Sequence, residues 1–123
     1  MSETRATVAL VDALNVLRST WPNIPAAQLV DLCAGWAAAE GFRAVVVFDG
    51  SAPDVDAGDR VELVSTGAES ADDWITREAA RLREADTTYR LVTSDRELRE
   101  RAGTGAERIT GGGTFARTLL DRR

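Results

Sequence analysis

Nearly unbroken apolar runs alternate with amphipathic stretches along this chain. Residues 7–11 and 43–48 are runs of the kind found in strands that are buried on both faces of a parallel sheet. Residues 60–65 instead alternate polar and apolar side chains, as an edge strand does. Two further short runs, at 90–94 and 107–110, complete a predicted set of four or five strands.

Helical spacing of apolar side chains predicts helices between these strands, over residues 26–40, about 70–85, 95–102 and 114–122. Residues 12–15 are predicted to form the turn into which the first strand runs, and Pro22 and Pro25 break the segment that follows. The loop at 51–59 is short for a crossover between parallel strands, which leaves the direction of the third strand open.

Alternating strands and helices predict the α/β class, with a mostly parallel sheet of about four or five strands and helices on both faces. A length of 123 residues suits a single domain, 1–123.

Acidic side chains stand where predicted elements meet. Asp12, Asp49 and Asp95 each follow a strand, and Asp72 begins a helix. Parallel strands joined by crossover helices would bring all four to one edge of the sheet, where ligands gather in open α/β sheets. A divalent cation relieves the repulsion between crowded carboxylates, and Mg²⁺ or Mn²⁺ held in this way suits hydrolysis of a phosphodiester by metal-activated water.

Each acid also has a purely structural explanation. Asp12 and Asp95 stand where a side chain caps the following helix, and Asp49 with Gly50 would serve equally well as a turn. The sequence around each single acid does not choose between the two explanations.

The adjacent acids Asp72 and Asp73 are predicted to differ in role. Ser70 with Asp73 resembles a capping box with Asp in place of Glu, which assigns Asp73 to folding. Asp72 is then the freer carboxylate, although both acids also suit the positive end of a helix dipole.

Composition excludes most other catalytic chemistry. The chain has no His, and all of its 15 basic side chains are Arg. The absence of His excludes Ser/His and Cys/His nucleophilic sites and His-ligated metals, and the absence of Lys excludes a P-loop. The single cysteine, Cys33, and the lack of a signal peptide in residues 1–5 or of any apolar run of membrane-spanning length predict a cytoplasmic protein with no membrane partner.

Four motifs recur in a fixed order along the chain: VDALNV at 11–16, VFDG at 47–50, ESADDWI at 69–75 and VTSDR at 92–96. Together they resemble the YacP-like group of NYN domains, a branch of the PIN-like nucleases, and the resemblance spans most of the chain. It implies a Rossmann-like PIN/NYN fold and a Mg²⁺- or Mn²⁺-dependent endoribonuclease. One YacP-like branch acts on messenger RNA at the ribosome, so the implied partners are RNA and, for that branch, the ribosome.

The resemblance also implies roles for individual residues. By motif position, Asp12, Asp72 and Asp95 would be the catalytic acids that bind the metal. The residues in support would be Asn15, Asp49 and Ser94.

The formal net charge of −5 argues against nonspecific binding of nucleic acid by the whole surface. The charge is uneven, however: residues 1–76 hold 4 Arg against 12 acids, and residues 77–123 hold 11 Arg against 8 acids. Arg77, Arg96 and Arg99 lie on the helices that begin with acidic motifs, and we predict that some of them contact RNA phosphates. The alternative is an ordinary solvated helix surface.

Two departures from the family pattern favour a different function. Ala13 and Leu14 stand where Gly and Tyr are usual, which removes an aromatic platform for a base, and the chain is shorter than typical YacP-like members. The alternative is therefore a noncatalytic RNA- or ribosome-binding adaptor with a degenerate nuclease fold. A phosphorylated receiver-like domain, suggested by the acids with Thr93 and Ser94, ranks last because the chain lacks the Lys that such sites use.

Overall fold

Strands and helices alternate along the chain in this computed structural model, which describes residues 7–122. Within that range the elements are β1 Val8–Asp12, α1 Ala13–Arg18, α2 Ala26–Glu40, β2 Arg43–Phe48, β3 Val61–Ser65, α3 Ala71–Glu84, β4 Tyr89–Val92, α4 Arg96–Ala102, β5 Arg108–Thr110 and α5 Gly112–Arg122. None of the described helices is long and apolar enough to cross a membrane. The prediction that residues 1–5 are not part of a signal peptide concerns residues outside those that the structure describes.

The strands form one sheet in the order β3-β2-β1-β4-β5, and every neighbouring pair is parallel. The predicted α/β fold is confirmed. The third strand, whose direction the sequence left open, also runs parallel to its neighbour, because residues 49–60 are just long enough for a crossover without a helix. The winding of the chain reverses between β1 and β4, and ligands bind at such a switch point in open α/β sheets.

Alternate side chains of the central strand pack against two different helix layers. Ala9 and Val11 belong to the core beneath α1, α2 and α5, whereas Val8 and Leu10 belong to the core beneath α3 and α4. Because both faces are covered, β1 is buried over its whole length, which explains its unbroken apolar sequence. Cys33 of α2 lies in the first core, and burial raises the pKa of its thiol to about 12.

Two helix starts differ from the prediction. Residues 12–15 are not an isolated turn but lead into helix α1, which is too short for its apolar spacing to be recognised and which ends before Pro22 and Pro25. Helix α5 begins at Gly112 rather than at Thr114, because the N–H of Phe115 already bonds to the carbonyl of Gly111 and closes the first turn.

Candidate active site

Asp12 lies at the carboxyl end of the middle strand. Its side chain is 7% exposed, and the Thr93 hydroxyl donates a hydrogen bond to its Oδ2 at 2.9 Å. This contact joins the ends of β1 and β4 across the switch point. Asp12 occupies the N-cap position of α1, yet its side chain accepts no capping hydrogen bond. The N–H of Asn15, the third residue of α1, still lies close enough to lower the pKa of Asp12, so Asp12 combines a weak capping interaction with its hydrogen bond from Thr93.

The charge of Asp12 is unfavourable in its surroundings. Burial raises the pKa of the carboxyl group above its usual value. The Thr93 hydrogen bond and the nearby backbone N–H of Asn15 lower the pKa in part, and the negative charges of Asp95 and Asp49 raise it again. A cation beside Asp12 would favour its ionised form.

A second network of hydrogen bonds fixes α1 against the end of β4 and the start of α5. The side-chain oxygen of Asn15 accepts from the N–H of Ser94 at 2.9 Å, and the Ser94 hydroxyl oxygen accepts from the N–H of Gly112 at 2.8 Å. A Cβ at Gly112 would lie 2.2 Å from Asn15 Oδ1 and 3.1 Å from the Asn15 carbonyl oxygen. The close approach of α5 to α1 therefore requires glycine at this position.

Asp95 begins α4 and is exposed. Its Oδ1 accepts a hydrogen bond from the N–H of Leu98 at 3.0 Å, which confirms the predicted capping role. Its own N–H donates to the Thr93 hydroxyl oxygen at 3.1 Å, so Thr93 contacts both Asp12 and Asp95. Within residues 7–122, Asp95 Oδ2 has no hydrogen-bond partner and is available to a ligand.

Asp72 lies in the first turn of α3, and Asp49 anchors that turn to the sheet. Asp49 Oδ1 accepts a hydrogen bond from the N–H of Ala71 at 3.1 Å, which ties the start of α3 to the end of β2. The role of Asp49 is therefore more than that of a local turn residue. Through Ala71 it sets the position of the partly buried Asp72.

The acids influence one another electrostatically although their motifs are far apart in the chain. Burial raises the pKa of Asp72, and the charges of Asp12 and Asp95 raise it further. Arg101 of α4 acts in the opposite direction, and Asp49 adds a smaller unfavourable effect. The four acids thus share the carboxyl edge of the sheet.

Asp73, in contrast, forms an ion pair between two helices. The Ser70 hydroxyl accepts from the N–H of Asp73 at 3.0 Å, so Ser70 is the predicted N-cap. The Asp73 carboxylate accepts from Arg101 at 2.8 Å, and this contact lowers the pKa of Asp73, with a lesser contribution from the Ser70 hydroxyl. No bond joins it to the Ser70 N–H within the described residues, so the predicted capping box is only half formed.

The three arginines predicted to bind RNA differ in their present contacts. Arg77 is paired with Glu69, with Nη2 at 3.1 Å from Oε1. Arg99 Nε donates to the Thr93 carbonyl at 2.9 Å, which holds its side chain at the end of β4. Arg96 is exposed and has neither an ion pair nor a hydrogen bond from its side chain within residues 7–122. Of the three, only Arg77 is held in an ion pair, whereas Arg96 and Arg99 lie on the helix that Asp95 begins and keep guanidinium groups without an acidic partner within residues 7–122.

The sequence did not indicate the structural roles of three residues that shape this edge. Thr93 stood out only within the fourth motif and as a candidate of the receiver-like alternative, and Gly112 only as one of three consecutive glycines. Arg101 carries no local signal, because its partner Asp73 lies on another helix.

The donor atoms at this edge suit a hard cation. Carboxylate oxygens are the ligands that Mg²⁺ and Mn²⁺ prefer. Among the described residues, however, no three acidic side chains are arranged so that they could hold one ion together. Asp12, Asp72 and Asp95 share an edge without forming a complete coordination sphere.

Comparison with known proteins identifies the family. The model of the YacP-like NYN domain matches residues 9–119, nearly the whole chain. The chain belongs to the YacP-like NYN domain family. The predicted family is thus confirmed, and with it membership of the PIN-like nuclease superfamily.

Solved structures agree with this assignment of the NYN domain. The crystal structure of Rae1 (YacP) from Bacillus subtilis is similar with a TM-score of 0.71 and 25% identity, over 94% of this chain and 76% of that one. A tryptophan-to-leucine mutant of the same protein gives a TM-score of 0.71 at 24% identity, over 94% of this chain and 78% of that one. No curated protein sequence gives a match.

Proposed function

We propose that this NYN domain is a Mg²⁺- or Mn²⁺-dependent endoribonuclease, a hydrolase that cleaves RNA phosphodiesters. The observation that supports the proposal is the grouping of acids at the switch point, where Asp12 ends β1 and Asp49 ties the start of α3, with Asp72, to the end of β2. Burial raises the pKa of Asp12 and of Asp72, and the charges of the neighbouring acids raise both further. Perturbed carboxylates grouped at the ligand-binding edge of a sheet are typical of functional sites.

Asp12, Asp72 and Asp95 would hold the metal ion. Direct coordination by all three is not required, because Mg²⁺ usually takes one or two protein carboxylates and keeps several waters. A bound ion would supply charge neutralisation at the scissile phosphate and activation of water. Since the chain has neither His nor Lys, carboxylates are its main resource for acid–base chemistry.

The surrounding residues would keep these acids in position. Thr93 orients Asp12 by a hydrogen bond in a buried environment, where such bonds are strong. Asp49 fixes the helix turn that carries Asp72. The precision of the site therefore depends on side chains that need not touch RNA.

Arginines next to Asp95 would recruit the substrate. Arg96 and Arg99 supply guanidinium groups on the helix that Asp95 begins, and such groups contact phosphates in most nucleic-acid complexes. They would offset the repulsion between the acidic edge and an RNA backbone.

The test is cleavage of a labelled single-stranded RNA by the purified chain in Mn²⁺, in Mg²⁺ and in EDTA. We expect internal cleavage in both metals and none in EDTA. Asp72→Asn should abolish cleavage and weaken Mn²⁺ binding measured by calorimetry, while the melting temperature stays the same or rises because a repelled charge is removed. Asp121→Asn, an equal charge change at an exposed position on α5, should cleave like the parent protein.

Cleavage in EDTA, or normal cleavage by Asp72→Asn, would contradict the proposal.

The second candidate function is a noncatalytic adaptor that binds RNA or the ribosome. It is favoured by the lack of three acids in a common metal-binding arrangement among residues 7–122. RNA binding without cleavage in either metal would support it.

A further inference from the structure

Trp21 is far more exposed than any other large apolar side chain within residues 7–122. Its exposed fraction is 88%, against 38% for Val55 and 38% for Ile109, the two that follow. Protein interfaces of standard size bury about 800 Å² on each partner around an apolar centre. Trp21 has no other strongly exposed large apolar side chain beside it in the chain. It therefore suits a small, flat ligand better than a protein interface of that size.

The loop that carries Trp21 lies at the same edge of the sheet as the acids. Helix α1 starts directly after Asp12, and its six residues span about 9 Å. Helix α2 then carries the chain back to the start of β2, where the N–H of Arg43 bonds to the Thr7 carbonyl. Because β2 starts at the opposite, amino edge of the sheet, α2 must run the full length of the strands. The loop at residues 19–25, which precedes α2, therefore lies at the carboxyl edge.

The turn before Trp21 is held by hydrogen bonds. Thr20 is buried, and its hydroxyl donates to the Leu17 carbonyl at 2.8 Å. The Ser19 hydroxyl donates to the carbonyl of Asn15 at 2.9 Å. The backbone from which the indole projects is therefore tied to the helix that carries Asn15, one of the residues proposed to support the site.

Two arginines without ion pairs lie close to this turn. Arg18 lines a surface cavity of about 260 Å³ together with four other residues, Leu14, Leu17, Asn23 and Ile24. A Cβ at Gly113 would lie 3.9 Å from Ser19 Cβ and 3.9 Å from Arg117 Nη1, which places Arg117 beside the same turn. Neither arginine forms an ion pair within the described residues.

We propose that Trp21 is a stacking platform for a base of single-stranded RNA, and that Arg18 and Arg117 contact the neighbouring phosphates. The choice of RNA rests on the proposed function. Aromatic side chains stack on any base, and flanking cations follow the backbone, which is the usual arrangement for single strands. The platform would hold the substrate beside the acids without reading its sequence.

The test is binding of a fluorescently labelled single-stranded RNA, measured by anisotropy in EDTA so that cleavage does not interfere. Trp21→Ala should weaken binding about tenfold, the scale of losing one stacked base, and Trp21→Phe should retain most of the affinity. The control Val55→Ala should leave binding unchanged. The melting temperature should stay constant in all three variants, because these side chains are exposed.

The arginines should give a different signature. Arg18→Gln and Arg117→Gln should each reduce the dependence of log K on log salt by about 0.7, the value for one phosphate of a single strand. Trp21→Ala should lower affinity without changing that slope. An RNA with abasic sites should bind the parent protein and Trp21→Ala equally.

Unchanged RNA binding by Trp21→Ala would overturn the inference and would leave the exposed indole to another partner, such as a protein. That result would leave the endoribonuclease proposal intact if the parent protein cleaves RNA in Mn²⁺. Conversely, binding that depends on Trp21 without any cleavage would support the platform and contradict the nuclease.

Discussion

The acidic edge consists of two halves that are built differently. The β1–β4 half comprises Asp12, Asn15, Thr93, Ser94, Asp95 and Gly112. The α3 half comprises Asp49, Ser70, Asp72, Asp73 and Arg101. In the first, Asp12 is 7% exposed and hydrogen-bonded to the fully buried Thr93. In the α3 half, Asp72 is only partly buried, and the neighbouring ion pair between Asp73 and Arg101 is exposed.

This difference separates two ways of positioning a charge. A buried hydrogen bond from Thr93 to Asp12 anchors the β1–β4 half, so a change at either residue should alter stability and activity together. The α3 half is held by a helix cap and a surface pair, which contribute less to the free energy of unfolding. A carboxylate on α3 can therefore be altered with little effect on folding.

The largest effect is expected from Asp12→Asn. RNA cleavage should fall at least about a hundredfold, because on the proposed mechanism Asp12 helps to hold a metal ion that supplies several kcal/mol of transition-state stabilisation. In EDTA at pH 7 the melting temperature should rise. Burial raises the pKa of Asp12 in the folded state. The protonated Asp12 side chain therefore stabilises the folded protein below the unfolded-state pKa of about 3.9, and this stabilisation is lost as the pH rises through the folded-state pKa.

The measurement is thermal unfolding of the parent protein and Asp12→Asn across the pH range. Their melting temperatures should converge at acid pH and separate toward neutral pH. A parent protein that is more stable than the variant at pH 7 would contradict the assignment of an unfavourable charge. Asp121→Asn is the control for removing a carboxylate elsewhere.

Gly112→Ala should disrupt the β1–β4 half by steric conflict. The added Cβ would lie 2.2 Å from Asn15 Oδ1, and the nearby Asn15 carbonyl limits any relief. We expect a loss of about 1–3 kcal/mol in the free energy of unfolding, the usual cost of overpacking. Gly113→Ala is the matched control, because its nearest neighbours are at 3.9 Å. It should be neutral or stabilising by up to about 1 kcal/mol.

Urea unfolding of both glycine variants checks this expectation. Equal stability of the two would show that the contact between α5 and Asn15 is not tight. Cleavage should also fall in Gly112→Ala and not in Gly113→Ala, since only the first displaces Asn15.

Thr93→Val tests the hydroxyl that serves both Asp12 and Asp95. The variant keeps the shape of the side chain but leaves the N–H of Asp95 without its acceptor and raises the pKa of Asp12 further. We expect a loss of about 1–2 kcal/mol in unfolding free energy, the cost of an unsatisfied buried polar group. Thr93→Ser retains the hydroxyl and should recover most of the stability. If Thr93→Ser were as unstable as Thr93→Val, the loss of stability would come from side-chain packing and not from the hydroxyl.

The smallest effects are expected in the α3 half. Ser70→Ala removes the N-cap of α3 and should cost about 1 kcal/mol. Asp73→Ala removes only an exposed pair with Arg101, so its effect should be smaller and should disappear in high salt. Both variants should cleave RNA, because Asp72 keeps its place. If Asp73→Ala were the inactive one, the roles of the two neighbouring acids would be reversed.

Local sequence patterns predicted most of the fold. The helix over residues 26–40 and the strand over 43–48 were predicted with the bounds they have. The helix has apolar residues at helical spacing and ends before Gly41, and the strand is an apolar run that ends before Asp49. Helix α1 was missed because six residues give too few repeats of the helical period. The direction of β3 depends on how a loop crosses the sheet, which local patterns do not encode.

At the site, the sequence predicted which acids lie at the carboxyl edge of the sheet but not what holds them, and their convergence on one cation stays a prediction. Asp12, Asp72 and Asp95 follow from strand and helix ends. The bond from Ala71 to Asp49 joins residues far apart in the chain, and so does the pair of Asp73 with Arg101. Such contacts depend on how the helices pack, and a capping motif therefore predicted only half of the environment of Asp73.

Cys33 makes this chain convenient for site-specific labelling. It is the only cysteine in the sequence, and burial raises the pKa of its thiol to about 12, so maleimides should not react with the folded protein. A single introduced cysteine, for example Glu97→Cys at an exposed position of α4, would then carry one fluorophore with no background. The native chain is thus already suited to following the approach of RNA to the edge of the sheet in real time.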